Sequence, residues 1–194
     1  MFEWKKKDPR EFRPSQAVRP SGLLLILLAL LLPGSSRVAW AQAGEEEIKA
    51  AFLYNFARYV QWPQDSFDDR GAPVRVCVLG AGDFARIVSA NVSGKSVDDR
   101  AVEVVDVKNP ASLGGCHILF VGDAVGKSRR ELLGEIGKLP VLTVSDSEGF
   151  ARAGGIANFY RDDKKVRFEI NPGAARLAGL KISSQLLRLA RVVE

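Results

Sequence analysis

Three stretches, VRVCVL at residues 74–79, CHILFV at 116–121 and VLTVS at 141–145, are apolar almost without a break and no more than six residues long. A strand wetted on one face alternates polar with apolar residues, whereas a short unbroken run is what a strand covered on both faces requires. Amphipathic segments separate these runs. One follows the turn GAGDFA at 80–85 and reaches about residue 90; another spans 128–138, with Leu132, Leu133 and Ile136 as its apolar stripe and Pro140 as its stop. Strands that alternate with helices imply a mostly parallel sheet with right-handed crossings.

The other segments extend that core. EEEIKAAFLYNFARYVQ at 45–61 reads as a helix in which Ile48, Phe52, Phe56 and Val60 recur at i+4, Leu53 joins their face, and Glu45 can pair with Lys49. Its three glutamates suit the positive end of the helix dipole, and Trp62-Pro63 ends it because the residue before a proline is driven out of helical geometry. After a polar connector at 64–73, residues 101–107 form a further strand. Asp146-Ser147-Glu148-Gly149 caps a short helical turn ahead of Gly154-Gly155. Residues 156–160 and 166–170, around the charged turn 161–165, read as an antiparallel hairpin. Asn171-Pro172 supplies an N-cap and a first-turn proline, and Gly179 closes that helix. Ser183 or Ser184 caps a last helix whose Leu186, Leu189, Ala190 and Val193 make one face, with Gln185, Arg188 and Arg191 outward. The expected fold is α/β: a single domain on a mixed, mostly parallel sheet of about six strands, the last two an antiparallel hairpin, flanked by helices.

Ahead of this domain lies LLLILLALLL at 23–32, which ends at Pro33-Gly34. A spanning helix needs about 20 apolar residues, so the run suits the core of a secretory signal better. Lys5, Lys6, Lys7, Arg10, Arg13 and Arg19 precede it, and Ala39-Trp40-Ala41 offers small residues for a peptidase. The expected signal covers residues 1–41, cleaved after 41 or 43, with 44–194 as the mature domain; the basic segment is long enough to admit a later start codon. The alternative is an uncleaved anchor extended through 38–41. Both leave the residues from about 44 onward outside the cytoplasmic membrane. Of 28 Lys+Arg and 23 Asp+Glu, seven and three lie in residues 1–41, which leaves 21 against 20 and a net charge of +1 in place of +5. No basic stripe remains to argue for nucleic acid.

Little in the chain points to catalysis. Gly80-Ala81-Gly82-Asp83-Phe84-Ala85 after a strand spells G-x-G-x-x-A, a dinucleotide fingerprint, and Asp106 falls where an acid would take a ribose hydroxyl. The same spelling arises wherever a strand turns tightly into a helix, with Asp83 as a cap, so no cofactor is expected. His117 is the single histidine, and it adjoins Cys116. Neighbours on a strand point to opposite faces, so the two do not form a thiolate-imidazolium pair. Two cysteines and one histidine make no spaced metal set. Cys77 and Cys116, on strands expected to be adjacent, are either disulfide partners in an oxidising compartment or buried thiols. Two further readings stay open: a small-ligand receptor using the crevice at the carboxyl ends of the strands, near residues 80–83 and 121–123, and a nicotinamide-dependent enzyme.

KAAFLYNFARYVQWP at 49–63, CHILFV at 116–121, PVLTVSD at 140–146, GGIANF at 154–159, VRFEIN at 166–171 and AGLKISSQLLRLARVV at 178–193 closely resemble, in this order, the YfiR family of periplasmic proteins. The resemblance runs from about residue 45 to the end. It implies a non-enzymatic regulator that holds an inner-membrane diguanylate cyclase of the YfiN type inactive, lowering cyclic di-GMP and restraining biofilm formation. It further implies a homodimer and a redox-responsive disulfide, with Cys77 and Cys116 as one of the family's cysteine pairs. A second pair has no counterpart, since residues 147–155 contain no cysteine. Similar proteins serve other membrane sensors, histidine kinases among them. Phe52, Phe56 and Trp62 are expected to pack in the core; Trp62 in its alternative reading as an exposed anchor, and the outward Arg188 and Arg191, are candidate partner contacts.

Overall fold

The computed structural model describes residues 35–194, with side chains from residue 44 on and that of Lys127 excepted. The leader reading falls almost wholly outside the described residues. Residues 40–194 form one compact unit. Its elements are α1 (Ser35–Tyr59), β1 (Val60–Gln61), β2 (Val74–Leu79), α2 (Gly82–Val92), β3 (Ser96–Val97), β4 (Arg100–Val107), β5 (Ile118–Val121), α3 (Arg129–Ile136), β6 (Leu142–Ser145), β7 (Ala157–Asp162), β8 (Lys165–Ile170), α4 (Pro172–Leu177), β9 (Lys181–Ile182), α5 (Ser184–Leu189) and β10 (Arg191–Val192).

Eight strands make one mixed sheet in the order β10-β8-β7-β6-β5-β2-β4-β3, and β1 pairs with β9 apart from it. All pairings within the large sheet are parallel except the β7–β8 hairpin and the short β3–β4 ladder. The three apolar runs lie side by side as β2, β5 and β6, with Val76 opposite Ile118 and Ile118 opposite Leu142. Val76, Val78, Ile118, Phe120, Leu142 and Val144 join the cluster that Leu53 and Phe56 of α1 and Phe84 and Val88 of α2 enter. Cys77, Leu79, Leu119 and Val121 join the cluster of Leu132, Leu133 and Ile136 from α3. Each central strand is therefore covered twice, which is why its sequence does not alternate.

The differences from the sequence reading have physical causes. The first helix ends at Tyr59, because Val60 and Gln61 pair with Ile182 and Lys181, and Ser183 N donates to the Tyr59 carbonyl at 2.9 Å. Ile48 is exposed, and Ala50 and Ala57 flank Leu53 on the buried side. Asp83 caps nothing: the N-cap of α2 is Ala81, and the carboxylate pairs with Arg86. Residues 146–155 form turns, with no helix. The C-terminal helix stops at Leu189, leaving that leucine exposed. Residues 191–192 instead take up the open edge of β8, with Val193 N donating to the Ile170 carbonyl.

The two expected caps of the C-terminal helices, Asn171 and Ser183, are in place. Ser183 accepts from Leu186 N, and Asn171 accepts from Ala174 N while its amide donates to the Ala151 carbonyl at 3.0 Å. Replacing Asn171 with alanine removes a cap and the shorter of the two hydrogen bonds to the buried Ala151 carbonyl, which keeps only Gly154 N at 3.4 Å. The expected loss of unfolding free energy is about 2 kcal/mol, seen as a lower urea midpoint at unchanged slope. An unmoved midpoint would contradict that assignment.

Candidate functional site

At the carboxyl ends of β6 and β7 a cavity of 590 Å³ opens beside the N-terminal turns of α1. Its inner wall is built on Lys49, whose side chain is 6 % exposed. A buried ammonium is tolerated only when its three donors find charge. Here it reaches Asp146 at 2.7 Å, Glu46 at 3.0 Å and Glu45 at 3.2 Å. Burial pushes its pKa down, but the bonds to Asp146 and Glu46 outweigh that and hold it above the ordinary lysine value. Asp146 is delivered by the end of β6, so the ion cluster bolts α1 to the sheet.

The opposite wall is built on Glu169 of β8, buried at 4 % exposure. Register places Arg191 directly across from it on β10, and the two side chains pair; Arg152 approaches at 3.9 Å. The Arg191 guanidinium also lies 4.0 Å from the centre of the Tyr160 ring. Asn158 anchors the floor by donating to the Ser145 and Ser147 carbonyls, and Arg161 bonds Glu45 at the rim. Neither His117 nor a cysteine lines this cavity. Its paired, positioned charges are suited to recognising a molecule that carries both signs.

Of the three expected partner contacts, Arg191 alone lines the cavity, and it does so from a strand; Asp123, from the expected crevice, lines it too. Arg188 is exposed on α5. Trp62 packs half-buried against the core, and its indole N–H donates to the His117 carbonyl at 3.1 Å. Cys77 and Cys116 are joined, with Cα atoms 5.8 Å apart, and both are buried under α3. Cys116 turns into that core while His117 turns toward residues 62–67, so the two diverge as expected. Lys49, Asp146 and Glu169 escaped sequence reading. Lys49 had looked like a surface partner of Glu45, and only a residue 97 positions away reveals its burial. A legible signal lay in VRFEIN, where a glutamate interrupts a strand between Phe168 and Ile170, both buried.

The glycine fingerprint answers to packing. A Cβ on Gly122 would lie 2.6 Å from the Gly80 carbonyl oxygen, so both glycines let the ends of β2 and β5 close together. Asp106 and Lys108, 2.6 Å apart, lie beside Gly82 at the N-terminus of α2. A carboxylate there opposes the phosphate that a dinucleotide would bring. Among the described residues no group of three or more His, Cys, Asp or Glu is placed to hold a metal, and no helix is long and apolar enough to cross a membrane.

The fold is an α/β domain with a charged cavity at the edge of its sheet. The chain belongs to the YfiR/HmsC-like family, whose model matches residues 46–191. That family is regulatory and associated with the periplasm and with membrane diguanylate cyclases. Among solved structures, the chain is similar to a conserved domain protein from Vibrio cholerae, with a TM-score of 0.52 at 9 % identity over 77 % of this chain and 60 % of the other. It is also similar to the ABC domain in complex with L-Trp from Streptococcus pneumonia, with a TM-score of 0.47 at 11 % identity over 62 % and 55 %. The chain thus spans less than two thirds of either, and at these identities the likeness concerns the fold alone.

Proposed function

We propose that this protein is a non-enzymatic periplasmic regulator that represses an inner-membrane diguanylate cyclase and thereby lowers cyclic di-GMP and biofilm formation. The observation that carries this reading is the family match, which takes in nearly all of the compact unit. The apolar run at 23–32 with its basic flank supports export, and the cavity's paired charges support binding as the mode of action. Trp62, Arg188 and Arg191 are offered as partner contacts, a homodimer as the working assembly, and the Cys77–Cys116 bond as a redox-responsive element. Deleting the chain is expected to raise cellular cyclic di-GMP, and supplying it in trans to restore the level. Unchanged nucleotide in the deletion strain sinks the cyclase assignment.

The 590 Å³ cavity favours a second reading, a small-ligand receptor that reports to another membrane sensor such as a histidine kinase. A thermal-shift screen separates the two. A ligand at 100 times its Kd adds about 2.7 kcal/mol to stability, and a metabolite panel that shifts nothing retires the receptor.

A further inference from the structure

His117 sits just ahead of β5 in a slot that admits one protonation state. The Arg75 backbone N–H donates to its Nδ1 at 3.0 Å, and its Nε2 lies 3.0 Å from the Ser66 carbonyl oxygen. An Nδ1 that accepts and an Nε2 that donates define the neutral Nε2–H tautomer. Three residues of the segment joining β1 to β2 are fastened to this one histidine. Ser66 takes its proton, Phe67 stacks on its ring with centroids 4.2 Å apart, and Trp62 donates to its carbonyl.

The surroundings oppose a charge on the ring. Arg100 of β4 lies 4.0 Å from the centre of the same Phe67 ring and holds the segment by donating to the Asp69 and Ala72 carbonyls. Arg75 of β2 adds a second cation, itself paired with Glu103 at 3.8 Å, and the acids near the site are Asp68 within the segment and Asp98, which lines the cavity with Phe67 and Arg100. A second proton on His117 would set an N–H against the Arg75 N–H and leave two hydrogen-bond donors opposed at 3.0 Å. The ring must then leave its slot, and the contacts to Ser66 and Phe67 go with it.

We propose that His117 is a proton-operated latch, and that acidification releases Ser66 and Phe67 from the imidazole and so loosens residues 64–72, while Trp62 stays bonded to the His117 backbone carbonyl. Beneath the segment lies a cavity of 330 Å³ that Phe67 and Trp62 share with Val60, Val74, Asp98 and Arg100, and departure of Phe67 would widen it. Under the periplasmic reading the surrounding medium supplies the proton. The latch itself stands without that reading. Burial, with Arg75 and Arg100 nearby, pushes the His117 pKa below the ordinary 6.5. The latch is therefore at full strength above 6.5 and is lost as pH falls through the lowered value.

Because His117 is the chain's single histidine, ¹³C,¹⁵N-histidine labelling of the purified protein yields one unambiguous imidazole signal. The expected result is an Nε2–H tautomer at pH 8 and a titration midpoint below 6.5. Over the same range, amide protection of residues 64–72, corrected for intrinsic exchange, falls by up to about tenfold per pH unit while β2 and β5 stay protected. His117→Asn keeps an acceptor for Arg75 N–H but cannot take the proton, so its exchange profile is expected to be flat. A midpoint at or above 6.5, or segment protection that ignores the His117 titration, overturns the proposal; so does an equal acid response in H117N. Should H117N not fold, the unmodified protein decides alone through its first two readouts.

Discussion

Reducing the Cys77–Cys116 bond is expected to lower the unfolding free energy by about 4 kcal/mol. The bond closes a loop with a sequence separation of 39 residues, and releasing it restores that much chain entropy to the unfolded ensemble. Both sulfurs lie in the core between β2, the segment leading into β5, and α3, so the freed thiols stay apolar neighbours and little packing is lost. Urea unfolding with and without reductant measures the effect, and the Cys77→Ser/Cys116→Ser double variant checks it under oxidising conditions. A difference below about 1 kcal/mol would mean that the chain-entropy gain is absent. A drop of the expected size makes the bond a plausible regulatory lever, because reduction would then consume a large part of a stability that is ordinarily about 5–15 kcal/mol.

Lys49→Met should cost about 3 kcal/mol. Removing one partner of a buried ion cluster strands the others, and Glu45, Glu46 and Asp146 would face one another across the space the ammonium had filled. The carboxylates keep partial access to water, with Asp146 27 % exposed, which holds the figure at the low end for buried pairs. A lysine held above its ordinary pKa stabilises at all pH values below about 10.5 and ceases to do so only as pH rises through the raised value. The lysine's own contribution should thus be level between pH 6 and 9, in contrast to the His117 latch. Adding Asp146→Asn to Lys49→Met should recover part of the loss, and a double-mutant cycle measures the coupling. A Lys49→Met protein as stable as the parent would remove the bolt between α1 and β6.

The parts of the fold that were legible in the sequence are those set by local periodicity and local caps. VRVCVL, CHILFV and VLTVS announced doubly covered strands, and the hairpin, the Asn171 cap and the Gly179 stop followed from turn and capping chemistry. What stayed hidden depends on partners far along the chain. Residues 60–61 leave a helical pattern because residues 181–182 pair with them, and 191–192 leave another because β8 has a free edge. The cavity was hidden for the same reason. Lys49, Asp146, Glu169 and Arg191 come from α1, the end of β6, β8 and β10, and no window of sequence holds two of the four at a telling spacing. The crevice expected near residues 80–83 and 121–123 is present as a cavity of 440 Å³ lined by Gly80, Ala81, Gly82, Ala124 and Val125, and the larger opening, which Asp123 lines, lies one strand further along the sheet.

The proposed function requires the domain to touch a membrane protein from outside the cytoplasm. In-cell crosslinking followed by mass spectrometry of the captured partner tests that most directly. The expected capture is an inner-membrane protein carrying a diguanylate cyclase domain, crosslinked to the processed chain on its periplasmic side. Recovery of the chain from the cytosol with residues 1–41 still attached and no membrane protein bound would contradict it.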